Sequence, residues 1–149
     1  EHERWSSFYK QIEKKGLNAV EEVFEVYKLI HAMYLDYNPS MEYDIRKYYP
    51  DLHNQVKETR RKRMLDSVYK NLNKGKMEGF YRKDIDSRII ARLHVLRSEN
   101  MFDNDLFTIG EITSFKVFHE IFIYHIYGIV SPSGMKFFMK NFRKFKAGI

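Results

Sequence analysis

The stretch 115–130, FKVFHEIFIYHIYGIV, most constrains what this chain can fold into. Its apolar residues fall on nearly every side of a helix rather than along one stripe, so the helix has to be covered almost all round. Its longest apolar run, 121–130, is interrupted by His125 and Gly128 and is too short to span a bilayer. A monomer of this size has little reason to build such a helix. A second copy of the chain supplies the missing cover, so the sequence predicts a helical domain that pairs with itself; the other reading is a central core helix wrapped by its own chain.

The 149 residues fit one domain with a real core. Hydrophobic residues at 44% and charged residues at 31% place the chain among folded rather than disordered sequences. Aromatics reach 16%, which gives either a bulky core or an aromatic-lined cavity. The net charge of +6 permits contact with nucleic acid or acidic surfaces, but lysines and arginines spread along the chain also read as solvated helix faces. The absence of Cys excludes disulfides, thiolate metal sites and Cys nucleophiles, and it fits the cytoplasm. The polar start EHERWSSFYK is no secretory signal. Because the first residue is Glu rather than Met, the chain is expected to be cut from something longer.

Hydrophobic spacing predicts an all-α domain of about six to seven helices with no strand of useful length. The first covers 1–15, with Trp5, Phe8, Tyr9 and Ile12 as its stripe, and stops at Gly16. In the second, about 17–37, Val20, Val23, Phe24, Tyr27, Ile30 and Tyr34 step by three and four. Asn38-Pro39-Ser40 ends it, and a short helix 41–48 follows. Pro50 opens a long helix to about Met77, where a missing N–H costs nothing. Leu52 and Val56 start its stripe, Leu65, Val68, Tyr69 and Leu72 resume it, and 57–63, KETRRKR, is polar all round. Gly75 and Gly79 loosen its end. Asp84 and Asp86 are candidate N-caps for 87–100, whose stripe is Ile85, Ile89, Leu93 and Leu96. A loop 101–110 leads to the apolar helix, capped by Thr113 or Ser114. Ser131-Pro132 then starts a last helix carrying Phe138, Phe142 and Phe145.

Three blocks carry a family resemblance: Asn38-Pro39 with YDIRKYYPDL at 43–52, GKMEGFYRKDIDSRIIARL at 75–93, and HIYGIVSPSGMKFF at 125–138. In the last, His125, Gly128, Ile129 and Gly134 occupy a His-x-x-Gly-Ile-x-x-x-x-Gly pattern. In order and spacing these blocks resemble the C-terminal domain of the Tet repressor family of bacterial transcription regulators, closest to its Bacteroides-type members. The likeness spans nearly the whole chain. It implies a sensing and dimerisation domain, a small-molecule effector, and a twofold homodimer built on a four-helix interface. Family members begin with a DNA-binding domain bearing a helix-turn-helix. No such pattern occurs in these 149 residues, so contact with DNA is expected only through a domain that this chain does not contain.

The same resemblance implies a pocket among the helices 17–37, 50–77 and 113–130. Tyr27, Met33, Tyr34, Tyr37, Tyr48, Met64, Tyr69 and Phe122 are candidates to line it, since Tyr and Met combine apolar shape with polar tips. An ordinary packed core reads the same residues equally well. Candidate dimer contacts are Arg92, His94, Phe118, Phe122, Tyr124, His125 and Tyr127. The six histidines show no metal-ligand spacing, and His119-Glu120 is not part of HExxH because Ile123 stands where the second His belongs. No nucleophile elbow, phosphate loop or isolated carboxylate points to catalysis, and neither a cofactor nor a membrane contact is expected. The other reading is a standalone module that binds protein or nucleic acid through 57–63 and the basic tail 140–146.

Overall fold

The computed structural model describes residues 2–146, apart from the side chains of residues 2–6, 9 and 13. Trp5 and Tyr9 of the first stripe therefore lie outside the described residues. Ile12, from the same stripe, is buried.

Eight helices form an all-α fold among the described residues: α1 His2–Lys15, α2 Ala19–Leu35, α3 Pro39–Tyr48, α4 Pro50–Met77, α5 Ser87–Glu99, α6 Ile109–Ile112, α7 Phe115–Ile129 and α8 Pro132–Lys146. The helix beyond the expected six or seven is α6, a single turn that begins at the end of the predicted loop and runs past it. Thr108 and Glu111 close it with a reciprocal capping box. An isolated bridge between Tyr81 and Val130 is the β pairing among the described residues.

Local chemistry sets the boundaries. Gly16 follows α1 with φ +61°, a conformation that suits a residue without Cβ. Asn18 accepts from Val20 and Glu21 N–H while the Glu21 carboxylate reaches back to Asn18 N–H, so α2 starts at Ala19. Asn38 also accepts from Ser40 and Met41 N–H, and Pro39 sits in the first turn. The dipeptide that stops α2 thus starts α3. Asp86 caps α5 through Arg88 and Ile89 N–H, bonds that hold its carboxyl below the usual range. Asp84 instead pairs with Arg82 at 2.7 Å. Ser114 caps α7, and Ser131 Oγ accepts from Gly134 N–H at the start of α8.

Tyr81 organises the core. Its ring is buried among Ala19, Val20, Leu72, Ala91, Ile126, Ile129 and Phe138. Its hydroxyl donates to Asn71 Oδ1 at 2.9 Å, with the Ala19 carbonyl at 3.1 Å. Asn71 Nδ2 in turn donates to Ala19 O and Glu22, and Lys74 donates to Leu17 O and Glu22. The entry to α2 is thereby tied to α4.

The two Gly-bearing blocks read as separate motifs meet in one knot. Arg82 N–H donates to Ile129 O and Ser131 N–H donates to Phe80 O, each at 2.9 Å. The hydroxyls of Ser131 and Ser133 both reach Gly79 O. A Cβ on Gly134 would stand 1.8 Å from Phe80 O, so only glycine admits this approach. Gly79, at φ +77°, makes the turn. Gly75 does not loosen the end of α4: it is buried inside the helix, and a Cβ there would stand 2.0 Å from the Tyr81 ring.

Two stripes are not the faces that bury. Ala91, Val95 and Ser87 form the inner side of α5, while Ile89, Leu93 and Leu96 point outward. Leu52 and Val56 in the first half of α4 are exposed as well. That half carries α3 along its side, clamped by His53 Nε2 on Glu42 at 3.0 Å. Residues 57–62 face solvent, as their all-round polarity predicts. Arg61 leaves that surface to form a two-pronged bond with Glu99 at 2.8 and 3.0 Å, which fastens α4 to the end of α5.

Candidate functional site

Side chains four and three residues apart share one helix face, so Tyr27, His31 and Tyr34 look the same way from α2. They meet Phe118 of α7, with ring centroids 4.6, 5.3 and 5.0 Å from it. Phe122, one turn further along α7, lies 4.1 Å from Tyr27. Phe102, in the loop after α5, stacks on Tyr37 at 4.1 Å and meets Tyr34 edge-on at 5.0 Å. The result is a continuous aromatic seam between α2 and α7, closed at one end by the loop.

This seam contains polar atoms that the fold leaves unanswered. Tyr27 Oη, His31 Nε2, His119 Nδ1 and Arg97 Nε are all shut off from solvent and have no hydrogen-bond partner. Buried polar groups are paired in the great majority of cases, so Tyr27 Oη and His31 Nε2, one turn apart on the seam face, mark a place where the chain by itself is incomplete. Burial pushes the Tyr27 hydroxyl up to about 12 and also raises Tyr34. Both phenols stay neutral at physiological pH and present an O–H for donation.

Arg97 stands in the last turn of α5, beside Tyr34 of α2 and Tyr124 of α7. It makes a long contact of 3.5 Å to His94 Nδ1. His94 lies against His125 of α7, with ring centroids 4.6 Å apart. Burial, joined by the Arg97 charge and, for His125, by its neighbour His94, lowers both imidazoles, His94 to about 4 and His125 to about 3. The pair is therefore neutral at pH 7, and the guanidinium is the charge at this junction.

The candidate residues divide between this seam and other places. Tyr27, Tyr34, Tyr37 and Phe122 belong to it. Met33 is half-buried on α2, and Met64 is half-buried on α4. Tyr69 borders a groove of about 230 Å³ between α4 and α5 with Leu65, Asp66, Arg88, Ala91 and Arg92. Tyr48 projects from α3 at 63% exposure, with the Lys47 ammonium over its ring. Among the candidate contacts for a second copy, Phe118 and Phe122 are turned into the chain's own seam. His94 and His125 lie against each other between α5 and α7, and Arg92, Tyr124 and Tyr127 face outward.

Spacing alone misses Phe102, His31 and Arg97 as seam residues. The Tyr27-His31-Tyr34 progression was available as a signal for His31. Arg97 offered another, as a cation continuing the line of apolar residues that ends α5.

Large apolar side chains of α5 and α7 are exposed. Ile89, Leu93 and Leu96 of α5 are 54%, 54% and 58% exposed, and Tyr124 and Tyr127 of α7 are 78% and 50% exposed. Gly128 lies beside Tyr124 and Tyr127, inside a helix, and nothing outside that helix comes within 4 Å of where its Cβ would be. No described helix is long and apolar enough to cross a membrane. The chain matches no protein-family model, no curated protein and no solved structure.

Proposed function

We propose that this chain is the effector-sensing and dimerisation domain of a Tet repressor-like transcription regulator. The observation that carries the reading is the pair of outward apolar faces on α5 and α7. Isolated exposed leucines are ordinary, but five large apolar side chains on adjoining helices are a surface that waits for cover. A second copy, related by a twofold axis, offers the same surface in return and forms a closed four-helix contact. Gly128 supports this choice. A helix-interior glycine costs about 0.5–1 kcal/mol relative to alanine, and no neighbour within the chain needs the space. A helix of the second copy crossing at Gly128 does need it.

The aromatic seam is the sensing element in this reading. It shares α7 with the pairing surface and contains the unanswered polar atoms. A small molecule held there favours one arrangement of α2 and α7. Through Asn18 at the head of α2 and α3 at its far end, it shifts α1 and α3, the parts placed to pass the change to a DNA-reading domain. The ligand shifts this balance only by the difference in its affinity for the two arrangements.

The test is native mass spectrometry of the purified chain against a small-molecule library, followed by amide exchange on each complex. The reading predicts a dimer that retains a compound, with altered exchange in α1 and α3. A dimer in which every retained compound leaves α1 and α3 unchanged would not be a sensor of this kind.

A further inference from the structure

The geometry points to Arg97 as an anion-binding group: the seam takes a small organic acid whose carboxylate bonds the Arg97 guanidinium. The inference rests on the sensing reading above and names the class of its ligand.

Four observations lead there. First, Arg97 carries a charge that no carboxylate offsets. The titratable groups that bear on it are the phenols of Tyr34 and Tyr124 and the imidazoles of His94 and His125, and burial keeps the two imidazoles neutral at pH 7. Arginine does not escape such a position by losing its proton. Second, its Nε is closed to solvent and has no partner, so one prong of a planar fork suited to a carboxylate is already desolvated and unused. Third, three other cations of the same region are answered by carboxylates. Arg61 takes Glu99, Arg82 takes Asp84 and Lys74 takes Glu22. Glu99, the acid nearest Arg97 in sequence, is committed to Arg61 through both of its oxygens. Fourth, the ring beside Arg97 belongs to the aromatic seam. Tyr34 touches both Phe102 and Phe118, and His31 Nε2 and Tyr27 Oη lie further along the same row without partners.

A ligand matched to this arrangement has a carboxylate at one end, an apolar or aromatic body, and a hydroxyl or carbonyl that reaches His31 or Tyr27. A carboxylate of a second copy is the other source of the same chemistry. Glu120 on the outer side of α7 is the exposed candidate. The desolvated Nε favours the small acid, because a group that reaches it has to enter the seam rather than rest on the outer surface.

The experiment uses benzoate and octanoate as probes, with benzamide and octanamide as neutral counterparts of the same shape. The Arg97 side-chain Nε–H resonance, assigned by its loss in Arg97→Lys, is followed by NMR, and melting is measured in parallel. The inference expects at least one acid to shift this resonance and raise the Tm. The matching amide should bind at least tenfold more weakly, and the acid's effect should vanish in Arg97→Met. Arg97→Met should melt at or above the wild type when no acid is present, since it removes an unanswered charge and only a long 3.5 Å contact to His94.

Three results would overturn the inference. One is an amide that binds as well as its acid. Another is an Nε–H that no acid moves. The third is an Nε–H whose shift follows protein concentration alone and disappears in Glu120→Gln, which would assign the counter-charge to the second copy. Failure here is separable from failure of the regulator reading. A monomer that binds acid through Arg97 keeps the site and loses the regulator, and a dimer indifferent to acids does the reverse.

Discussion

Replacing Gly134 with alanine tests the central knot of the fold. The new Cβ would stand 1.8 Å from Phe80 O and 2.7 Å from Phe80 C, where ordinary contact begins at 3.4 Å. Both obstructing atoms are backbone, so no side chain can swing aside. The start of α8 has to withdraw from the 79–82 segment by more than an ångström. That withdrawal stretches the 2.9 Å bond from Ser131 N–H to Phe80 O and the Ser131 and Ser133 bonds to Gly79 O. Overpacking of this kind costs about 1–3 kcal/mol. A lost hydrogen bond adds about 1 kcal/mol. The expected destabilisation is about 2–4 kcal/mol, or roughly 6–12 °C in Tm for a chain of this size. Gly110→Ala is the matched control. Gly110 lies in α6 with nothing within 4 Å of its Cβ position, so its replacement should leave the Tm unchanged or slightly raised. Differential scanning calorimetry of the two variants and the wild type measures both. A Gly134→Ala protein melting within about 2 °C of wild type would refute the close approach and the register of the two segments.

Three further predictions follow from the same structure. Tyr81→Phe removes the buried hydroxyl that Asn71 and Ala19 share and should cost about 1–2 kcal/mol in urea unfolding, and a neutral result would show that Asn71 re-pairs without it. The His94–His125 pair should make stability depend on pH. Both imidazoles fall from 6.5 to about 4 and about 3 on folding, so the native state binds fewer protons, and stability is full above pH 6.5 and declines as the pH falls through that window. At pH 5.5 the loss is about 2–3 kcal/mol for the two, read from the urea midpoint, and a His94→Phe/His125→Phe variant should flatten the slope. Gly128→Ala should stabilise the isolated chain at high dilution by about 0.5–1 kcal/mol while weakening self-association, whereas tighter association in sedimentation equilibrium would remove glycine's role at a crossing.

Much of the fold is legible in the residues because local chemistry marks it. Pro50, Gly16, Asp86 and Ser131 set boundaries that periodicity alone leaves loose. Legibility fails where two distant segments share a job. Gly75 reads as a breaker in sequence and Gly134 as a pattern position, yet each makes room for one particular neighbour, Tyr81 and Phe80 O respectively, and nothing local announces that neighbour. The outward face of α5 shows the same limit. Ile89, Leu93 and Leu96 have the spacing of a core stripe, but the chain buries Ala91 and Val95, whose small side chains let α5 approach α4 closely. The seam was half legible. Tyr27 and Tyr34 follow from helical spacing, whereas Phe102 reaches Tyr37 from a loop and Arg97 gains its meaning from the absence of an acid around it.

The central claim is that the apolar faces of α5 and α7 are covered by a second copy. Native mass spectrometry of the purified chain, with Leu93→Glu beside it, tests this most directly. Leu93 is 54% exposed, so a charge there should leave the fold intact and disturb only what covers it. The account predicts a wild-type species at twice the 18.1 kDa of the chain and a Leu93→Glu species at 18.1 kDa with an unchanged helical spectrum. A wild-type monomer at micromolar concentration, or a dimer that Leu93→Glu leaves intact, would contradict it.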